Sequence, residues 1–98
     1  MEQNPDLEEL REQIDAVDRE IVRLFEERMA ISEKIADVKE RAGKDIFDRK
    51  REEQKIAAVR ELAHDESNRN DIGELYGLLM AMSRRRQHAV LEQVKTDS

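Results

Sequence analysis

The first forty residues carry a long apolar seam, and this pattern constrains the fold more than any other feature of the sequence. Its residues follow one another at alternating steps of three and four, which is a heptad pattern with one charged exception. The seam consists of Leu7, Leu10, Ile14, Val17, Ile21, Leu24, Arg28, Ile31, Ile35, Val38 and Ala42. A helix of this extent is about 54 Å long, whereas a compact domain of about 100 residues has a radius of gyration of only about 13 Å. The remaining residues cannot cover such a stripe, so the pattern predicts packing against another chain, as a dimeric coiled coil or helical bundle.

The whole chain favours helix, and its breakers divide it into three segments. Glu, Arg, Lys, Ala, Leu and Met are abundant, alternating β-branched runs are absent, and the 98 residues include one proline and three glycines. We therefore predict an all-α fold in a single domain over residues 1–98. The predicted helices span about residues 6–42, 48–63 and 71–95.

The expected helix ends follow from local chemistry. Asp6 is a candidate N-cap for the first helix, and Gly43 suits the cap at its C-terminal end. Asp48 is a candidate N-cap for the second helix. The polar run over residues 64–70 is expected to form a loop, with Asn70 or Asp71 capping the third helix.

Composition excludes several classes of function. The sequence has no cysteine, which excludes disulfides, thiolate zinc sites and a cysteine nucleophile, and His64 and His88 are too far apart in sequence to form a ligand pair. No apolar run approaches the roughly 18 residues of a membrane span, and the acidic start does not resemble a signal peptide. The net charge of −6 argues against general nucleic-acid binding. These features predict a cytoplasmic protein with neither a membrane nor a nucleic-acid partner.

A guanidinium at a seam position requires a counter-charge. Arg28 would be costly there if it were unpaired. Lys39 follows eleven residues later, so it lies about 16 Å along the helix and only about 20° around it, with Ser32 between the two. The two cations can converge on a small anionic ligand. The other explanation of Arg28 is structural: an ion pair with a glutamate of a neighbouring helix, or a polar residue that sets the helix register, and without further motifs it is the one to favour.

Arg11 cannot join this site within its own chain. It lies seventeen residues before Arg28, about 25 Å along the helix and about 100° around it. Antiparallel pairing of two long helices can bring Arg11 of one chain near Arg28 of the other. The alternative is a solvated arginine.

The third helix contains two neutral hydrogen-bonding residues on a mostly apolar strip. Ser83 and Gln87 are one turn apart, either as site residues or as half-exposed boundary positions. Gly73 and Gly77 are also one turn apart and suggest close helix packing. The arginine run over residues 84–86 is expected to be a solvated edge, with Arg86 reaching towards the seam.

Three motifs, in this order, resemble those of the all-helical chorismate mutases, and the resemblance extends from about Leu7 to Leu91. The first motif is Leu7-x-x-Leu-Arg11-x-x-Ile-Asp15-x-x-Asp18-x-x-Ile-x-x-Leu24-x-x-x-Arg28, with Lys39 eleven residues later; the second is Asp48-x-x-Arg51-Glu52, and the third is Ser83-x-x-x-Gln87. The resemblance implies an intertwined homodimer of three-helix chains, with two active sites. The implied reaction is the Claisen rearrangement of chorismate to prephenate, a step towards phenylalanine and tyrosine.

The resemblance also implies roles for individual residues. Lys39 would bond to the ether oxygen and a carboxylate of the substrate, and Gln87 would donate to the same ether oxygen. Arg28, together with Arg11 from the other subunit, would hold the substrate carboxylates. The rearrangement is pericyclic, so it requires no cofactor, metal or nucleophile.

The remaining implied contacts lie at the start of helix two and on helix three. Glu52, with the backbone near Asp48, would receive the ring hydroxyl, and Arg51 and Ser83 would complete the polar lining. Two other functions fit the same residues: an isochorismate pyruvate lyase on the same scaffold, and a non-catalytic dimerisation or regulatory module.

Overall fold

The computed structural model describes residues 6–97, with side chains over residues 6–93. Its helices are α1 (Leu7–Arg41), α2 (Arg49–Leu62) and α3 (Arg69–Asp97), and a 3₁₀ turn at Glu66–Asn68 precedes α3. Every regular element in this part of the chain is helical, and α1 is 35 residues long. The predicted all-α class, the three helices and the long N-terminal helix are confirmed. The predicted homodimer stays a prediction.

Both ends of α1 are fixed by the residues that the sequence pattern indicates. The Asp6 Oδ1 atom accepts a hydrogen bond from the backbone N–H of Glu9 at 2.8 Å. At the other end, Gly43 has a φ of +68°, and the N–H of Lys44 donates to the carbonyl of Lys39 at 2.8 Å. This left-handed glycine satisfies carbonyls of the last turn and redirects the chain towards α2.

The start of α3 differs from the prediction, because neither Asn70 nor Asp71 caps it. Asp65 precedes the 3₁₀ turn, and its Oδ1 atom accepts hydrogen bonds from the Ser67 hydroxyl at 2.7 Å and from the Ser67 N–H at 2.9 Å. The turn continues directly into α3 at Arg69. The Ser67 hydroxyl and N–H hold the pKa of Asp65 below its ordinary value, because they stabilise the carboxylate form.

The chain divides into two compact units, the first ending at Ile31 and the second beginning at Ser32. In the first unit the seam of α1 is exposed to solvent. Its exposed seam side chains are Leu7, Leu10, Ile14, Val17, Ile21, Leu24 and Ile31. Among the described residues of this unit, no second element packs on this face, and the predicted packing against another chain stays a prediction.

The second unit contains α2 and α3 packed against each other, with Val59 and Met80 buried. At Gly73 an added Cβ would lie 3.4 Å from the Arg60 side chain of α2, which is an ordinary van der Waals distance, so the two helices meet here without requiring a glycine. At Gly77 an added Cβ would meet nothing within 4 Å among the described residues of this chain, so close packing at Gly77 stays a prediction. Among the described residues, no helix combines the length and apolar character needed to cross a membrane.

Candidate active site

A buried amide on α3 forms the centre of the candidate site. Gln87 is 7% exposed and Ser83, one turn earlier, is also 7% exposed. The Gln87 Nε2 atom donates to the Ser32 hydroxyl at 2.8 Å, which links α3 to α1 inside the second unit. Gln87 Oε1 is buried without a hydrogen-bond partner among the described residues. An amide nitrogen has two N–H groups, so Ser32 uses one and leaves a second donor on a fixed side chain.

Lys39 lies in the last turn of α1 and is half-buried. Its Nζ atom donates to the backbone carbonyl of Ile46 at 2.8 Å, so the ammonium ties the end of α1 to the connection before α2. An ammonium has three donors, and one is used here. Lys39 can therefore keep this contact and still bind an anion.

The start of α2 contains the next group of predicted residues. Asp48 caps the helix, because its Oδ1 atom accepts from the Arg51 N–H at 3.0 Å. The side chains of Asp48 and Arg51 are exposed, and Glu52 is half-buried. The cap predicted from the sequence is confirmed.

The structure adds a residue that the sequence analysis missed. Arg84 was expected on a solvated edge, but its Nη1 atom donates to Glu52 Oε1 in a part-buried ion pair between α3 and α2. Its guanidinium also lies 5.0 Å from the centroid of the Phe47 ring. A run of three arginines resembles a solvated surface, and Glu52 is 32 residues away, so no local pattern indicates this pair.

The two neighbouring arginines behave differently. Arg85 is exposed, as predicted. Arg86 reaches α1, but it pairs there with Glu33 at 3.2 Å, and Glu33 is not a seam residue.

Arg11 and Arg28 belong to the first unit. Arg11 is exposed, and its Nη1 atom lies 3.4 Å from Glu8 Oε1, one turn away. Arg28 is half-buried. The substrate-binding roles predicted for these two arginines stay predictions.

The electrostatic character of the candidate site comes from cations and neutral donors. Within the second unit the predicted residues carry an ammonium, a guanidinium, an amide, a hydroxyl and two carboxylates, of which Asp48 is the exposed N-cap of α2 and Glu52 is part-buried and paired with Arg84. Among the described residues, no group of three or more histidines, aspartates or glutamates lies close enough together to hold a metal ion. An arrangement of fixed positive charge and neutral donors can bind a small polyanion and stabilise charge that develops on an oxygen.

Comparison with known proteins agrees with this reading. The family model for chorismate mutase type II matches residues 10–88, a range that contains all the predicted site residues. A chorismate mutase of Methanocaldococcus jannaschii is 28% identical over 90 residues, covering 91% of this chain and 91% of that protein. No solved structure matches the chain. The family match covers well over half of the sequence, and the chain therefore belongs to the chorismate mutase type II family and is an enzyme of the isomerase class.

Proposed function

We propose that this protein converts chorismate to prephenate by a Claisen rearrangement, as a step in phenylalanine and tyrosine synthesis. Family membership supports the activity. The observation that carries the proposal is that one compact unit contains both a half-buried ammonium, Lys39, and a buried neutral amide, Gln87. These are the two kinds of donor that the reaction needs at its ether oxygen.

The reaction breaks a C–O bond ahead of C–C bond formation, so negative charge grows on the ether oxygen in the transition state. A fixed cation and a neutral N–H donor lower the energy of that charge when the surrounding site is shielded from water. Lys39 is the cation, and Gln87 supplies the second N–H group of its amide. Ser32 fixes the plane of this amide, since its hydroxyl accepts the first N–H at 2.8 Å. A donor held in place before the reaction needs little reorganisation when charge develops.

Binding must also hold a flexible dianion in its compact, reactive conformer. We assign the substrate carboxylates to Arg28 and to Arg11 of a second subunit, from the residue pattern of the family and the helical spacing of α1. The remaining substrate contacts are assigned to Asp48, Arg51, Glu52 and Ser83. The acidic protein thereby concentrates positive potential in one cleft.

The proposal includes a homodimer in which the two α1 helices cover each other's seams. The exposed apolar side chains of the first unit support this assembly, because an isolated chain leaves them in water. A symmetric dimer contains two equivalent sites. Each site then requires Arg11 from the other chain.

The direct test is the loss of chorismate absorbance on addition of the purified protein, with prephenate identified as the product. Isochorismate is offered separately, and release of salicylate and pyruvate without chorismate turnover would replace the mutase assignment with a lyase. No turnover of either substrate would indicate a non-catalytic module.

Alanine variants test the two assigned donors. Losing one such donor costs about 3–4 kcal/mol, so Gln87→Ala and Lys39→Ala should each lower kcat/KM by roughly 10²–10³-fold while the helical circular dichroism is retained. The matched controls are Lys34→Ala and Gln54→Ala, which remove the same side chains from exposed helix positions. Near-normal kcat/KM in either site variant would contradict its assigned role.

A further inference from the structure

We propose that Arg84 is a positioning residue that orients the Glu52 carboxylate towards the ring hydroxyl of the substrate. The inference rests on the proposed function, because it concerns how Glu52 performs its assigned contact. Arg84 acts through Glu52 and does not touch the substrate.

The first support is the geometry of the ion pair. Arg84 on α3 donates from Nη1 to Oε1 of Glu52 on α2, and the two side chains are only 31% and 22% exposed. The bond engages one carboxylate oxygen. Among the described residues no hydrogen bond engages the other oxygen, Oε2, and a carboxylate oxygen is a strong acceptor for a hydroxyl group.

The second support is that Arg84 is itself held in place. Its guanidinium lies 5.0 Å from the centroid of the Phe47 ring, within the range of a cation–π contact. Phe47 precedes Asp48, the N-cap of α2. The guanidinium is thus held by Phe47 before the helix and by Glu52 in its first turn, which limits its rotamers. A lysine at this position would keep the charge but lose the planar fork and the stacking on the ring.

The third support is charge balance. The proposed substrate carries two carboxylates, and a bare glutamate nearby would repel it. Arg84 supplies the counter-charge to Glu52, so the carboxylate can accept the hydroxyl hydrogen bond without adding net negative charge to the site. Arg86 and Glu33 form a similar pair two positions further along α3, but their side chains are 48% and 42% exposed. The Arg86–Glu33 pair therefore serves as a control, because it is an arginine–glutamate contact between the same kinds of side chain that is not assigned to the substrate.

The test compares Arg84→Met, Glu52→Gln, the double variant and the control Arg86→Met. Hydrogen bonds to charged groups are among the strongest in proteins, so loss of the orientation of Glu52 should raise KM by roughly tenfold or more, with a smaller effect on kcat. Arg84→Lys should recover part of the loss. In the Glu52→Gln background, Arg84→Met should add little, because both changes affect the same contact. Arg86→Met should leave KM within about twofold, as expected for an exposed ion pair.

A second measurement separates orientation from folding. KM or the inhibition constant is compared for chorismate and for an analogue whose ring hydroxyl is replaced by hydrogen. The wild type should favour chorismate, and Arg84→Met should lose most of this preference; both ligands should bind more weakly to the variant, because the unpaired Glu52 repels either dianion. If Arg84→Met does not fold, Arg84→Lys and Phe47→Leu provide the same comparison, each with a partial loss of preference.

The outcomes distinguish this inference from the proposed function. Turnover by the wild type with additive effects of Arg84→Met and Glu52→Gln, or with an unchanged hydroxyl preference, would overturn the positioning role alone. Absence of chorismate turnover by the wild type would overturn the proposed function, and this inference with it.

Discussion

Val17 and Val22 provide a matched test of the proposed homodimer. Both are valines on α1, and they are 58% and 56% exposed in the single chain. Val17 is a seam residue, whereas Val22 lies outside the seam. Replacing each by alanine removes the same two methyl groups from equally exposed positions. Only the seam position should be covered by a second chain.

The expected size of the effect follows from the exposed fraction. Burying a methylene or methyl group contributes about 0.8 kcal/mol, so the part of the two Val17 methyl groups left exposed corresponds to about 0.9 kcal/mol per chain. A symmetric dimer contains two copies, which gives about 1.9 kcal/mol, or a roughly 20-fold increase in the dimer dissociation constant. Any cavity that the substitution leaves at the interface would add to this value.

Sedimentation velocity over a dilution series, with N-terminally labelled protein, measures the dissociation constant of each variant. Val17→Ala should dissociate at higher concentration than the wild type, and Val22→Ala should match the wild type. Equal dissociation constants for the two variants would refute the reasoning from the seam. So would a wild-type protein that sediments as one chain at all micromolar concentrations.

Three further outcomes are expected. Mixing inactive Arg11→Ala and Lys39→Ala chains should restore about a quarter of the wild-type activity, because half of the randomly exchanged dimers contain one complete site of two; no recovery despite proven subunit exchange would argue against a shared site. Asp65→Ala should lower the urea midpoint near neutral pH. The folded state depresses the pKa of Asp65, so its contribution is present above the unfolded pKa and is lost as pH falls through the folded pKa; the gap between wild type and variant should close at low pH, and a constant gap would contradict this origin. Gly43→Ala should cost about 1 kcal/mol in urea unfolding, since its φ of +68° is unfavourable for a residue with a Cβ, and an unchanged midpoint would contradict a requirement for glycine.

The features that the sequence predicted correctly are local ones. Asp6, Gly43 and Asp48 mark helix ends because each bonds to backbone groups within a few residues, so the cause of the boundary is visible in a short stretch of sequence. The seam of α1 can also be recognised from the sequence alone, because helical periodicity places its residues on one face of the helix. The wrong prediction at Asn70 and Asp71 shows the limit of this approach. Several residues of one polar run can cap a helix, and here the N-cap is Asp65, which caps the 3₁₀ turn that leads into α3.

Contacts between distant segments could not be predicted in the same way. The pairing of Arg84 with Glu52 depends on how α2 and α3 pack. The spacing of residues within either helix does not indicate which residue of the other helix will be the partner. The bond between Gln87 and Ser32 joins residues 55 positions apart. The motif spacing singled out Gln87, but the partner that fixes its amide plane emerged only from the fold.

Because Lys39 donates a hydrogen bond to the carbonyl of Ile46, a substitution of Lys39 changes more than the charge of the proposed site. The Lys39 ammonium holds the connection that leads into α2, and it also supplies the positive charge proposed to bind the substrate. Lys39→Ala removes both the contact with Ile46 and the positive charge at the proposed site. The loss of activity in Lys39→Ala is therefore an upper limit on the contribution of the positive charge alone. Lys39→Gln keeps a side chain of similar length that can donate a hydrogen bond but carries no charge. Comparing its activity with that of Lys39→Ala would show how much of the loss comes from the contact with Ile46 and how much from the charge.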